Sequence, residues 1–420
     1  MKTTLLWIVV LMIFRLSALA VITVPGADGT DGALSVSSNT VIDLSQAVEG
    51  LWSDDNTAAA GDGIYDSNKW AVVFKYSSVT IDSGATLSFA NHHGCPPVVW
   101  LVDGDVTING VLNLNGENWT TAPSVAEPGP GGFRGGMGDY AVSVGASAGF
   151  GPGGGYTGVI NYGRGASHAH SVTSSPDPYG NPALVPLLGG SGGGGTSAAR
   201  GGGAGGGAIL IACTGTLTIN GTVRANGGNA YGRNIYGTSN DSGGGSGGGI
   251  RLVADTFTGS GVVEAQAGSE TDAPGALGRV RMERVVNNNT WTSIAPSPSV
   301  VGLTAGDTAL LWPPTMAPTV QIVSIGGETA PADPMASFGT SGADVAIAQT
   351  NTTEVVIETV YVEEASVVKV RLTPRSNASF TEVVASQYQI VNPDPLTIRW
   401  TADIPVSSGY SAVQVHVVRP

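Results

Sequence analysis

The chain has 420 residues, enough for roughly two or three domains. Its formal net charge is −14, and only 12% of its residues are charged. This balance argues against nucleic acid or an anionic membrane as a partner, because both attract proteins through basic patches. Glycine accounts for 63 residues, about twice its usual share.

Residues 1–20 have the organisation of a secretory signal peptide. Lys2 provides the positive start, an apolar run extends from Leu5 to Phe14, and Ala18-Leu19-Ala20 is typical of a cleavage site. An N-terminal membrane anchor is the alternative, but this apolar run is too short to span a bilayer. We therefore expect a secreted or extracellular protein, associated with the cell surface, with no transmembrane segment after cleavage.

Residues 21–69 are polar and predict a cap that covers the exposed end of a stacked structure. Residues 70–290 follow as the repetitive part of the chain. A pattern of about 20 residues appears there as Val98–Gly116, returns as Ile209–Gly227 and recurs more loosely as Ile250–Gly268. Ile108-Asn109-Gly110 in the first copy aligns with Ile219-Asn220-Gly221 in the second, and Val223 aligns with Val263 in the third. Asn-Gly is a turn dipeptide.

Apolar and polar residues alternate in each copy, which predicts strands with one buried face. Such coils bury their apolar face only by stacking, so we predict a right-handed parallel β-solenoid of about five or six coils. The alignment of the copies predicts that Leu101, Ala212 and Leu252 lie on top of one another. Trp100 is predicted to face outwards.

Two glycine-rich insertions, Glu117–Ala208 and Gly228–Gly249, separate the copies. Each ends in a glycine run directly before a returning strand. Without Cβ atoms, extended glycine segments can approach one another closely and bond through backbone groups. We predict ordered, extended glycine segments packed on one face of the solenoid, with partial disorder as the alternative.

Residues 291–318 are predicted to be a linker, and glycine becomes sparse after Pro318. Seven short strand-like runs then predict an immunoglobulin-like β-sandwich over residues 319–420. The runs are Thr319–Ile325, Ala343–Ala348, Glu354–Val362, Ser366–Leu372, Phe380–Tyr388, Leu396–Ala402 and Ser411–Val418.

The stretch Pro178–Gly193, with the glycine-rich sequence and the AILIACTGTLTINGTVRANGG that follow it, resembles a family of exported bacterial glycine-rich surface proteins. The resemblance covers about residues Val98–Glu283. It implies a β-helical core and an extracellular location, and the C-terminal region is similar to the Ig-like modules that such bacteria append to surface proteins. That family has no established reaction, so the resemblance implies architecture more than activity.

The two cysteines of an exported protein often pair. Cys213 aligns with Val102 on the side of the coil that is predicted to face outwards, whereas Cys95 lies in the turn before the first copy. A disulfide between Cys95 and Cys213 requires this turn to fold back. The sequence therefore leaves open whether Cys95 and Cys213 are paired or free.

Short motifs give little sign of catalysis. The sequence G-x-S-x-G occurs at Gly145–Gly149, Gly189–Gly193 and Gly244–Gly248, but no helical pattern follows to form a nucleophile elbow. His168 and His170 could form a metal pair, although two exposed loop histidines without a function are favoured. We predict no catalytic residue and no metal ligand.

A calcium site is a weaker alternative, and no cofactor is predicted. Asp103 and Asp105 could bind Ca²⁺, but the aligned copy carries threonines there, which favours a role in the turn. The polar loops before residue 69 offer further carboxylates, at Asp28, Asp31, Asp54, Asp55, Asp62 and Asp66. Arg251 and Arg281 align as an outward ladder, interpreted as a surface under a loop, with an active site as the alternative.

Aromatic residues cluster around the longer insertion. Trp119, Tyr140, Tyr156 and Tyr162 are candidate ligand contacts, because exposed aromatic rings on loops can bind sugars. The favoured interpretation is that aromatic residues of this region anchor the insertion to the solenoid.

These features predict an exported, non-enzymatic structural or adhesive protein of the bacterial cell surface or extracellular matrix. Its expected partners are a surface glycan or other matrix proteins. The alternative is a polysaccharide-active β-helix enzyme, a lyase or hydrolase, with an appended Ig-like module. A phage-like receptor adhesin would share the binding prediction but not the signal peptide.

Overall fold

The computed structural model describes residues 21–420 apart from 55–59, 122–123, 140–144, 158–162, 173–175, 197–199, 231–241, 270–272, 337–341, 350 and 376–378. The predicted signal peptide lies outside the described residues. The described chain is all-β, with four sheets and one short 3-10 helix, η1 (Leu44–Gln46). Within these ranges, no helix is long and apolar enough to cross a membrane.

The strands fall into two groups along the chain. The first group is β1 (Gly32–Val36), β2 (Thr40–Asp43), β3 (Val48–Glu49), β4 (Ile64–Asp66), β5 (Ala71–Ile81), β6 (Thr86–Ala90), β7 (Val98–Val102), β8 (Val106–Ile108), β9 (Val111–Asn113), β10 (Ala208–Ile219), β11 (Thr222–Arg224), β12 (Gly249–Thr258), β13 (Val262–Glu264), β14 (Arg279–Asn287), β15 (Ser293–Ala295) and β16 (Ser299–Gly302). The second group is β17 (Thr319–Ile325), β18 (Glu328–Thr329), β19 (Thr352–Val360), β20 (Val367–Pro374), β21 (Thr381–Val384), β22 (Ser386–Pro393), β23 (Leu396–Pro405) and β24 (Ser411–Val418).

Strands β1–β16 form a ten-stranded and a six-stranded sheet, together called the parallel stack. Successive segments of the chain place one strand in each sheet: β1 and β2, β5 and β6, β7–β8 and β9, β10 and β11, β12 and β13, β14 and β15. Neighbouring strands run parallel, except that β4 is antiparallel to β5. The main hydrophobic core lies between the two sheets, as the alternation of apolar residues predicts.

The register follows the sequence repeat over most of the stack. Ile108 pairs with Ile219, and Val223 pairs with Leu112 on one side and Val263 on the other. All five side chains are fully buried. The predicted stacking of these positions is confirmed.

The predicted stack of Leu101, Ala212 and Leu252 is wrong at its last member. Ala212 does pair with Leu101, but Leu252 pairs with Ile211. The cause is a bulge in β10 just after Cys213, which changes the register between β10 and β12 by one residue. A slip of one residue moves a side chain to the opposite face of its strand.

The first halves of β7, β10 and β12 are buried on both faces. Trp100, predicted to face outwards, is fully buried in the main core. Leu101 and Ala212 instead pack in a second core on the outer face of the ten-stranded sheet. That second core is closed by residues that lie before β1 and after β16, namely Ile22, Val24, Ala309 and Leu311.

The C-terminal module (residues 319–418) consists of a five-stranded and a three-stranded antiparallel sheet that share one core. Of the seven predicted runs, Ala343–Ala348 does not form a strand. The run Phe380–Tyr388 is divided, because the chain passes at Ala385 from β21 in the three-stranded sheet to β22 in the five-stranded sheet.

Both cysteines are free thiols, so the hypothetical disulfide is not formed. Cys213 pairs with Val102 as aligned, but it is fully buried in the main core and does not face outwards. The Cys95 thiol lies 3.5 Å from the carbonyl oxygen of Gly132 and 3.8 Å from that of Gly129. Burial raises the pKa of the Cys95 thiol to about 11, and it also raises the pKa of Cys213.

We expect both thiols to be unreactive in the folded protein, because Cys213 is buried, Cys95 is partly buried and both remain protonated at neutral pH. A thiol assay on protein purified without reductant should detect neither cysteine in buffer and both after unfolding in urea. The Cys95→Ser variant should release one thiol on unfolding. Absence of any thiol in unfolded wild-type protein would instead demonstrate a disulfide.

Candidate functional site: the glycine bundle

The glycine bundle consists of the described parts of residues 114–207, 225–248 and 265–278. Its segments leave the ends of strands β9, β11 and β13 and return into β10, β12 and β14. They are extended and are joined by backbone hydrogen bonds, although almost none of this bonding forms regular strands. The prediction of ordered, extended glycine segments is confirmed for these residues.

Backbone bonding in the bundle repeats every three residues. Around segment 200–207, amide groups three residues apart donate to the same neighbouring segment, and the carbonyl groups accept in the same way. Amides of this segment donate from Gly202 to Gly136 and from Gly205 to Phe133, from Gly203 to Gly243 and from Gly206 to Ser246, and from Ala204 to Glu117 and from Gly207 to Leu114. Its carbonyl oxygens at Gly203 and Gly206 accept from the amides of Gly193 and Gly190. A repeat of three without internal hydrogen bonds is typical of the polyproline II conformation.

Where a glycine of one segment faces the backbone of the next segment, there is no room for a side chain. An ideal Cβ on Gly193 would lie 1.9 Å from the carbonyl oxygen of Gly243. A Cβ on Gly202 would meet the carbonyl oxygen of Gly193 at the same distance. The high glycine content is therefore a packing requirement of the bundle.

We expect Gly193→Ala to destabilise the protein by roughly 1–3 kcal/mol, the usual cost of overpacking, because backbone atoms must separate. Gly302→Ala is the matched control, since no heavy atom lies within 4 Å of a Cβ built there. Urea unfolding followed by circular dichroism compares the two variants with the wild type. Equal midpoints for the two variants would contradict close packing in the bundle.

Asparagine ladders connect successive turns of the chain where the bundle begins. The side chain of Asn115 accepts a hydrogen bond from the amide of Asn226 at 2.8 Å, and the side chain of Asn226 accepts one from the amide of Gln266 at 2.7 Å. Asn118 and Asn229 form a second ladder of the same kind. These ladders satisfy backbone donors at the corners and align the segments that enter the bundle.

His168 is fully buried in the bundle, which contradicts the favoured prediction of an exposed loop histidine. Its ring stacks on Tyr179 with centroids 4.6 Å apart, and Nδ1 lies 2.7 Å from the carbonyl oxygen of Gly247. A carbonyl only accepts, so Nδ1 carries the proton. Burial, assisted by the positive charge of Arg279, lowers the pKa of His168 to about 4.

The buried histidine makes stability depend on pH. Its pKa is about 4 when folded and near the ordinary 6.5 when unfolded, so the unfolded chain binds the proton more readily. The contribution of His168 is fully present above pH 6.5 and decreases as the pH falls towards 4. At about 1.4 kcal/mol for each pH unit, the full loss is on the order of 3 kcal/mol.

In His168→Gln, the free energy of unfolding should therefore change less between pH 7 and pH 4.5 than in the wild type. The matched control is His170→Gln, because His170 is exposed and should leave the wild-type dependence unchanged. Urea unfolding at several pH values provides the comparison. The same pH dependence in wild type and His168→Gln would contradict a buried neutral histidine.

The serines of the three G-x-S-x-G motifs, Ser147, Ser191 and Ser246, are fully buried. The Ser147 hydroxyl accepts from the amide of Met137 at 2.9 Å, and that of Ser246 accepts from the amide of Ser191 at 2.8 Å. The Ser191 hydroxyl donates to the hydroxyl of Tyr179 at 2.9 Å. These serines fill hydrogen-bonding positions inside the bundle.

The residues considered as alternative metal ligands are not assembled into a site in the described residues. No group of three or more His, Cys, Asp or Glu side chains in these ranges could hold an ion. Where the acidic residues near the N-terminus converge, the buried Lys75 ammonium lies 3.1 Å from the carboxylate of Asp28. Asp105 accepts from the amide of Thr216 at 2.7 Å, which agrees with its interpretation as a turn residue.

The arginine ladder lies under a covering segment. Arg251 and Arg281 are paired in register, and both donate to one carboxylate oxygen of Glu283, at 3.0 and 3.1 Å. Arg251 also donates to the carbonyl oxygen of Leu310 and is 2% exposed. The interpretation as a surface stacked under a loop is confirmed, and Arg251 pairs with Leu210 in the neighbouring strand.

Two of the four candidate ligand-contacting aromatics lie in the described residues. Trp119 is only 8% exposed and packs against Ala204 inside the bundle. Tyr156 is partly exposed, and its ring stacks on Phe380 of the C-terminal module at 4.4 Å. Both side chains therefore serve as anchors in this structure. Tyr140 and Tyr162 lie outside the described residues.

Three segments of the bundle meet at one of its ends. The amide of Asp139 donates to the carbonyl oxygen of Thr196, and the Thr157 hydroxyl donates to that of Gly195. In the sequence, Tyr140 directly follows Asp139, and Tyr162 lies five residues after Thr157.

No protein-family model matches the chain, and no curated protein and no solved structure is significantly similar to it.

Proposed function

We propose that the protein is an exported, non-enzymatic structural or adhesive protein of the bacterial cell surface or extracellular matrix. In this proposal, the parallel stack is a right-handed β-solenoid and the C-terminal module is an Ig-like β-sandwich. The observation that carries the proposal is the glycine bundle. Its segments bond to one another through backbone groups on several sides, so the bundle is suited to hold a surface rigidly in place.

The adhesive surface in this proposal is the end of the bundle at which residues 139, 157 and 196 meet. A rigid support lowers the entropic cost of presenting a binding surface to a partner. Tyr140 and Tyr162 are close in sequence to Asp139 and Thr157, and tyrosine rings offer an apolar face and a hydroxyl to a sugar. A surface glycan is the first partner to test, and other matrix proteins are the second.

The binding test uses the chain from residue 21 onwards on an array of bacterial glycans and on matrix extracts. We expect binding without product formation, and at least about a tenfold loss of affinity in Tyr140→Ala/Tyr162→Ala, as for aromatic residues at the centre of an interface. Tyr410→Ala is the matched control, because Tyr410 is an exposed tyrosine of the C-terminal module.

Two results would contradict the proposal. New reducing or unsaturated ends on a polysaccharide would establish the alternative, a lyase or hydrolase. Binding that is lost equally in the Tyr410→Ala control would place the contact away from the end of the bundle.

A further inference from the structure

One row of outward side chains on the ten-stranded sheet consists only of hydroxyl residues. The parallel register places five of them side by side, in the order Ser35, Thr80, Thr107, Thr218 and Thr258. These residues are called the hydroxyl ladder, and they come from β1, β5, β8, β10 and β12. All five side chains are partly or fully exposed, whereas the preceding residue of each strand packs in or against the main core.

The hydroxyl ladder is regular in both spacing and rigidity. Neighbouring strands of a sheet lie about 4.7–4.9 Å apart, so the row extends over about 19 Å. Four of its five members are threonines, whose branching at Cβ restricts rotation about χ1. The hydroxyl groups are therefore held at nearly fixed positions along a straight line.

A second, shorter row lies two residues earlier along the chain, about 6.6 Å from the first. It contains Ser78, Thr216 and Thr256, which are also partly exposed. Asp105 occupies the remaining place and accepts a hydrogen bond from the amide of Thr216. The outward face of this part of the sheet is thus a two-dimensional array composed mainly of hydroxyl groups.

The six-stranded sheet shows that stacking by itself does not require hydroxyl residues. Its outward positions are also in register, and they form two rows of mixed composition. One row contains Val111, Thr222, Val262 and Ser293, and the other contains Asn113, Arg224, Glu264 and Ala295. Cross-strand threonine pairs stabilise a sheet, but that preference does not explain why only one of the two sheets has a uniform row.

The composition of the hydroxyl ladder favours a partner that is periodic and uncharged. A hydroxyl group both donates and accepts hydrogen bonds, so it can bind a water molecule in either orientation. The ladder contains no charged group that would select an ionic surface, and no aromatic ring of the kind that stacks on a sugar. Ice is neutral, its molecules donate and accept, and rows of oxygen atoms on its surface repeat at an interval close to the spacing of strands.

We propose that the ten-stranded sheet binds ice through the hydroxyl ladder. Side chains at fixed positions order the first layer of water, and this layer joins the ice lattice with little further loss of entropy. Protein that is adsorbed in this way blocks growth of the crystal at the contact. This activity is separate from glycan binding at the end of the glycine bundle.

Ice growth in solutions of the purified protein tests the proposal. We expect faceted crystals, a freezing point below the melting point, and slower recrystallisation of small ice grains than in an equal mass of an unrelated globular protein. These measurements do not depend on a glycan partner.

Thr218→Lys should abolish these effects, because a long charged side chain in the row keeps the neighbouring hydroxyl groups away from the ice surface. Thr222→Lys is the matched control, since Thr222 is an outward threonine on β11 of the six-stranded sheet and should leave the activity intact. Thr107→Lys repeats the test at the adjacent place in the row in case the first variant does not fold. Circular dichroism checks the fold of each variant.

Two results would overturn the proposal. Crystals of ordinary shape, with equal freezing and melting points in the wild-type protein, would exclude ice as a partner. Full activity in folded Thr218→Lys and Thr107→Lys variants would exclude the hydroxyl ladder as the contact.

Discussion

Close approach of backbones in the glycine bundle is the constraint on which the rest of this structure depends. Buried amide and carbonyl groups must find partners, and in the bundle those partners are other extended segments on several sides. At many positions this arrangement requires a residue without a Cβ atom, since a methyl group at Gly193 would meet a carbonyl oxygen. The parallel stack aligns the segments, and they in turn cover the ends of its strands.

The stack and the bundle are continuous with each other. Strands β9, β11 and β13 of the six-stranded sheet each lead into a bundle segment, and asparagine ladders at Asn115 and Asn118 continue the strand pairing into the bundle. The order of the coils therefore sets the order of the glycine segments. A rigid, laterally bonded body of this kind is the physical basis for proposing a structural or adhesive role.

Much of the parallel stack could be predicted because it is a local pattern. Alternating apolar residues and recurring Asn-Gly turns predicted that Ile108 lies on Ile219 and that Val223 lies on Val263, and both pairs are formed. The prediction failed at Leu252, where one extra residue in β10 exchanges the two faces of the strand. The alternation of apolar residues does not indicate where along β10 the extra residue lies.

Burial of His168 and of the outer strand face at Leu101 could not be predicted, because both depend on segments distant in sequence. Trp100 instead lies in the main core with Ile108, two residues of the same parity in the alternating pattern. Residues before β1 and after β16 cover the outer face of the ten-stranded sheet, so strands that read as half-exposed are buried on both faces. His168 is enclosed by glycine segments whose composition resembles that of a solvated loop. The exposure of the candidate aromatics Trp119 and Tyr156 could not be predicted for the same reason, since it depends on what packs against each ring.

Amino-acid order alone was sufficient for strand periodicity, for the stacking of like turns and for extended glycine segments, since these follow from the preferences of neighbouring residues. Folding in three dimensions determined which strand faces are covered, which thiols remain apart and where the C-terminal module meets the bundle. These outcomes depend on contacts between segments distant in sequence, as in the bond from Arg371 to Gly151, which lie 220 residues apart. The residues next to Arg371 in the sequence therefore do not indicate which distant segment becomes its partner.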